Sequence, residues 1–184
     1  MENLKFLSVI EKRRSIRKFT RQPVEQEKIE HLVEAALRAP SSRGLNPWEF
    51  LVVTERDQLT ALSRAKPHGA SFLAAAPLGI VVCADPSKSD VWVEDAAIAS
   101  VFIHVAAVSA GLGSCWIQIR KRMHDQTKTA EAHVREVLGM PDHMAVESII
   151  AIGYADEIKS GHPKKDLPHN KVHHNRYGRA FPGS

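Results

Sequence analysis

Apolar residues along the chain fall into two kinds of run: some recur every three to four positions, others are continuous over the length of a strand. The stretch "PVEQEKIEHLVEAALRA" (residues 23–39) places Ile29, Leu32, Val33, Ala36 and Leu37 on one stripe with charges opposite. That spacing predicts an amphipathic helix with Pro23 near its start and Pro40 as its stop. "EFLVVTE" reads as a short strand, and "LGIVVCAD", apolar on both faces, as a central buried one. Short helices are expected over 57–65 and 70–76. "DVWVEDAAIASVFIHVAAVSAG" carries alanine at 96, 97, 99, 106, 107 and 110, residues of high helix propensity. Outside Glu94 and Asp95 it is apolar on most faces, the mark of a helix buried in a core or at a subunit interface, with Gly111 or Gly113 as its stop. "SCWIQI" is a third strand, "TAEAHVREVLGMP" a helix closed by Gly139, and "AVESIIAIGYA" a fourth strand.

The pattern breaks at Asp156. From there to the end, prolines and charges replace aliphatic residues, and such a segment cannot build a core of its own. It is either a disordered tail or an arm ordered by a partner. Apart from this, 184 residues suit one domain.

Composition narrows the function. Hydrophobic residues make up 43% and charged residues 25%, as in an ordinary globular protein. No apolar run reaches the ~20 residues of a membrane span. The opening "MENLKFLSVIEKRR" lacks the basic start, apolar middle and cleavage site of a secretory leader. Cys83 and Cys115 each sit in an apolar run with no C-x-x-C pair, which predicts buried thiols in a cytoplasmic protein. The net charge of +4 suits an anionic ligand but is too small for a nucleic-acid reader without a recognition element. The ten histidines show no metal-binding spacing, so no metal is expected. Phosphate-loop, dinucleotide and nucleophile-elbow motifs are missing from their places. No catalytic acid–base pair or nucleophile stands out either, so a cofactor is expected to supply the chemistry.

Three stretches have the composition of a cofactor site. In "EKRRSIRKF" the arginines Arg13, Arg14 and Arg17 surround Ser15, a set that fits a phosphate, although a charge run standing alone more often forms a solvated turn. "APSSRGLNPW" puts Pro40, Ser41, Ser42 and Asn46 on a short loop, either a binding loop or a plain connection. "AGLGSCWIQI" has glycines that would let a flat ligand approach the backbone, or that merely stop a helix before a core strand.

Together and in this order, these stretches resemble the nitroreductase family of FMN-dependent oxidoreductases. "RRSIRKF" is similar to the family's R-R-S-x-R-x-F opening, "APSSRGLNPWEF" to its A-P-S-S/A loop, and "AGLGSCWI" to its G-L-G-S-C-W-I strand entry. "KKDLPHNKVHHNRYG" is similar to its basic closing segment, and the likeness runs from residue 5 to 178.

The resemblance implies an α+β fold: a central, mainly antiparallel or mixed β-sheet sandwiched by helices. It implies one FMN-binding domain over 1–184 and an intertwined homodimer whose segment 156–184 is a swapped arm wrapping the other subunit. Arg13, Ser15 and Arg17 would hold the FMN phosphate and ribityl chain with Arg14 nearby. Pro40, Ser41, Ser42 and Asn46 would reach the flavin ring across the interface. Trp116, Ile117 and Gln118 would pass along the ring, with the Gln118 N–H near its reactive N5 edge. Lys164 or Lys165 would return to the phosphate. NADH or NADPH is the implied electron donor and a nitroaromatic or quinone the implied acceptor, with no residue required as acid or base. Dehalogenation or flavin modification is the alternative within the family, and a non-enzymatic nucleic-acid binder the alternative outside it. Three departures stand out: Asp166 replaces an arginine near the phosphate, Gln118 replaces a glycine, and the linker between Asp85 and Asp90 is too short for the lid of larger relatives.

Overall fold

The computed structural model describes residues 6–182; Met1–Lys5, the start of the segment read for a leader and of the stretch carrying the resemblance, and the last two residues lie outside it. The first helix, α1 (Phe6–Lys12), has no signature in the apolar pattern because it buries only Val9 and leaves Phe6, Leu7 and Ile10 exposed. Helix α2 (Gln26–Leu37) follows the expected stripe but starts after Glu25, whose backbone is extended. The remaining regular elements are β1 (Trp48–Val53), α3 (Arg56–Leu62), β2 (Leu78–Ala84), α4 (Trp92–Ser109), β3 (Gly113–Gln118), α5 (Ala130–Leu138) and β4 (Ala145–Gly153). The helix expected over 70–76 is instead a 3₁₀ turn, Ser71–Ala75. Pro77 disfavours helix at the preceding residue, and Ala76 is already extended with ψ 139, which leaves too few residues for α-helical turns.

The strands form one sheet in the order β1-β2-β4-β3, with every neighbouring pair antiparallel. Alternation along each strand sends residues to two cores. Val81, Cys83, Ile117, Ile149 and Ala151 pack with Leu59, Leu62 and Val134 on the α3 and α5 side. Leu78, Ile80, Val82, Ile150 and Ile152 pack with Leu32, Ala36, Ala96 and Ile103 on the α2 and α4 side. The cysteines are buried free thiols.

Helix α4 is long and apolar enough to cross a membrane by length and composition, but it lies along the sheet and buries Asp95, Ser100 and His104. Its stop is Gly111, with φ +76, where an L side chain would be strained. Gly113 serves another purpose. A Cβ there would lie 2.9 Å from Ile16, so the glycine makes room for the chain's own N-terminal segment and not for a ligand.

Candidate functional site

That N-terminal segment is stitched to the free edge of β3. Ser15 forms a parallel bridge with Ser114, and the Ile16 N–H donates to the Ser114 carbonyl at 3.0 Å. Ile16 and Phe19 are buried beneath it, so the cations on either side are held in place by a packed backbone. The start of the closing segment locks the same stretch: Glu157 Oε1 accepts from the Arg17 N–H at 2.5 Å, and Lys159 Nζ donates to the Ser15 carbonyl at 2.7 Å. The Arg17 N–H, followed by Lys159, holds the pKa of the Glu157 carboxyl down at about 2. Arg14 donates to the Ser160 carbonyl, so its guanidinium is engaged by the chain itself.

Because Ser114 offers its carbonyl outward, an antiparallel ladder places the backbone groups of Trp116 and Gln118 on that same outward edge. From Ser114 to Gln118 this edge runs about 13 Å. The side chains of Ser114, Trp116 and Gln118 face α4, where His104 Nδ1 lies 2.7 Å from Ser114 Oγ and its ring stacks on Trp116 at 6.5 Å. Trp116 Nε1 donates to Gln118 Oε1 at 2.9 Å, and the Gln118 amide donates to the Arg120 carbonyl at 3.2 Å. Gln118 therefore spends its side chain on bracing the strand. Ile117 points the other way and is fully buried, so it can meet a ligand only through its backbone.

The loop carrying Pro40, Ser41, Ser42 and Asn46 leads into β1, at the opposite edge of the sheet. One chain therefore brings Arg13–Arg17 together with Trp116–Gln118 and leaves Pro40–Asn46 apart. The loop is closed on itself by Ser41 Oγ, which donates to Asn46 Oδ1 at 2.7 Å and accepts from the Asn46 N–H at 2.9 Å.

A groove of about 770 Å³ opens between α1 and the closing segment, lined by Arg13 and Lys164 together with Leu7, Ile10, His162 and Leu167. Gly161 permits this docking, since a Cβ there would lie 2.1 Å from the Glu11 carbonyl oxygen. Of the two lysines expected at the phosphate, Lys164 lines this groove; Lys165 is exposed in the same 3₁₀ turn, next to Asp166.

The structure also gathers residues that the sequence does not single out. Lys66 lies beside Arg122 and Cys115, and burial followed by Arg122 lowers its ammonium below the usual range. Burial pushes the Cys115 thiol up, Arg17 is the cation that most opposes this, and its guanidinium lies 5.8 Å from the Phe72 ring centroid. His104 is driven down to about 4 by burial, then by Arg13. Glu147, raised by burial, has an Oε2 with no hydrogen-bond partner among the described residues. Lys66 and Arg122 sit in polar turns, and His104 inside an apolar helix, so neither spacing nor composition marks them.

Residues 10–68 and 58–154 match a family model described as the nitroreductase family. An FMN-dependent nitroreductase from Clostridium difficile superposes with a TM-score of 0.92 at 48% identity, over 93% of this chain and 99% of that one. A protein of Archaeoglobus fulgidus with the provisional name NADH dehydrogenase/NAD(P)H nitroreductase is 37% identical over 164 residues, 87% of this chain and 91% of the relative. The NADPH-flavin oxidoreductase of Vibrio harveyi is 29% identical over 180 residues, 89% of this chain and 71% of the relative.

Proposed function

The chain belongs to the nitroreductase family, and we propose that it is an NAD(P)H-dependent FMN oxidoreductase that works as a homodimer, with residues 1–184 forming one FMN-binding domain. One observation carries this reading: the Arg13–Arg17 segment is paired onto the same strand edge that turns backbone groups of Trp116 and Gln118 outward, away from the ladder. Cationic donors at one end and an open row of peptide groups beyond them fit a phosphorylated, flat, polar-edged cofactor.

Bound FMN would supply the redox chemistry, taking hydride from NADH or NADPH and passing two electrons to a nitroaromatic or quinone in a ping-pong exchange. This chain's residues do the rest. Arg13, with Lys164 across the groove, holds the phosphate, and Ser15 and Arg17 hold the chain that follows it. The Gln118 N–H donates to the reacting edge of the ring. Lys66 and Arg122 keep positive charge near that strand, which favours an electron-rich ligand. The linker between Asp85 and Asp90 is four residues long and leaves the site open to acceptors of different shapes.

The second subunit supplies what one chain lacks. Pro40, Ser41, Ser42 and Asn46 lie at the far sheet edge, so in this reading they reach the ring across the dimer. Ile98, Val101 and Phe102 on α4 are exposed, as are Phe6, Leu7 and Ile10 on α1, which packs against α4. Such an apolar surface fits a subunit interface. The closing segment from Lys164 to Phe181 is exposed almost throughout, with Leu167 and Val172 partly exposed and Tyr177 almost fully so, as an arm that embraces a partner would be.

The test is the absorbance spectrum of the purified protein, followed anaerobically as NADH or NADPH is added. A flavin spectrum bleached by either nicotinamide and restored by a quinone or nitroaromatic is expected. Protein that stays colourless after incubation with FMN would sink the proposal.

A further inference from the structure

Asp95 lies in the first turn of α4 and is only 2% exposed. A buried carboxylate is costly unless its oxygens are satisfied, and here both are. Oδ1 accepts from the backbone N–H of Ser42 at 2.8 Å, and Oδ2 accepts from Ser89 Oγ at 3.0 Å. The helix N-terminus favours a negative charge at this place. Ser89 is itself buried, so one carboxylate ties the Ser41–Asn46 loop to the linker that precedes α4.

The loop needs an anchor. Arg43 has φ 54 and Asn46 has φ 46, in the left-handed region that side-chain-bearing residues seldom adopt. Such conformations persist where the surroundings over-determine them. The link between Ser41 and Asn46 is internal to the loop and does not place it on the body of the protein. The ion pair of Arg43 with Asp90 at 2.7 Å does reach outside, but its side chains are 65% and 81% exposed and water weakens it. Among the described residues, that leaves Asp95 as the loop's buried hydrogen-bonding attachment.

We infer that Asp95 is a positioning residue that sets the Ser41–Asn46 loop in the geometry its polar groups need to meet the flavin ring. The inference rests on the functional reading above. Asp95 touches no cofactor; it acts through the Ser42 N–H. Its influence is therefore on recognition of the ring and is blind to the phosphate, which the Arg13 segment holds at the other sheet edge.

Riboflavin, which has the ring without the phosphate, separates the two. Affinities of FMN and riboflavin are measured by fluorescence titration at a temperature where each variant keeps the wild-type far-ultraviolet circular dichroism. Asp95→Ala is expected to weaken both ligands by the same factor, roughly 10- to 100-fold, the range for a lost hydrogen bond to a charged group. Asp95→Asn, whose carbonyl oxygen still accepts from Ser42, is expected to lose less. If Asp95→Ala does not fold, Ser42→Pro removes the N–H together with the hydroxyl, and Ser42→Ala removes the hydroxyl alone. Ser41 is already extended, with φ −135 and ψ 158, as a residue before proline must be. Ser42→Pro should then bind riboflavin more weakly than Ser42→Ala, which keeps the N–H. Equal affinities in that pair, unchanged binding in Asp95→Ala, or loss of FMN with riboflavin spared would each overturn the inference. A wild-type protein that binds neither flavin would overturn the functional reading instead.

Discussion

Arg13 and His104 show how single residues gain meaning from their surroundings. His104 is buried between α4 and β3, and it is held neutral by desolvation first and by Arg13 second, its pKa driven down to about 4. An unfolded histidine titrates near 6.5. Between those values the unfolded chain binds the extra proton, so folding stability should fall as pH drops from about 6.5 towards 4, by roughly 3 kcal/mol in all. Urea midpoints at pH 7 and pH 5 should show this slope, and His104→Gln should flatten it. For Arg13, truncation to alanine should weaken FMN binding by roughly 1.5–3 kcal/mol, the loss of a charged hydrogen bond. Riboflavin affinity should stay near wild type, since the contact is with the phosphate. A titration giving unchanged FMN affinity would remove Arg13 from the site.

Among the elements, β3 depends on a close fit with the segment that precedes α2. Gly113 leaves only 2.9 Å between a would-be Cβ and Ile16, whose own backbone bonds to Ser114. Gly113→Ala should therefore cost about 1–3 kcal/mol by overpacking, seen as a lower thermal midpoint, and Ile16→Ala in the same chain should restore part of it. Elements of this kind were legible in the sequence when their packing was one-sided or complete. The stripe of α2, the alanines of α4 and the continuous apolar runs of β2 and β4 announce themselves, because periods of 3.6 and 2 follow from local geometry. Helix α1 did not, since all its apolar residues but Val9 face outward in a single chain. The 3₁₀ turn at Ser71–Ala75 was hidden by Pro77, which shortens a stretch of good helix formers. Asp95 and His104 were masked by the apolar helix that carries them. Strand order, and with it the separation of the two site stretches, depends on pairings far apart in sequence that no local pattern encodes.

For the whole molecule, the two halves of the proposed site lie at opposite edges of one sheet, and the closing segment bridges only one of them. Glu157 and Lys159 clamp Arg17 and Ser15, while the described residues beyond Lys164 are exposed except for a half-buried His174. Deleting 157–184 should therefore impair FMN retention and dimerisation together, measurable as bound flavin per chain and as mass by light scattering. A truncated chain that remains a yellow dimer would show the arm to be dispensable. The terminal position of β3 has one more consequence. Among the described residues, Ser15 and Ile16 cover only the beginning of its outer edge, so Trp116 and Gln118 have peptide groups with no strand beside them. An open sheet edge is a template for unwanted pairing with other chains. Cells starved of riboflavin should therefore accumulate this protein as insoluble aggregate, and feeding the vitamin during expression should raise the soluble yield.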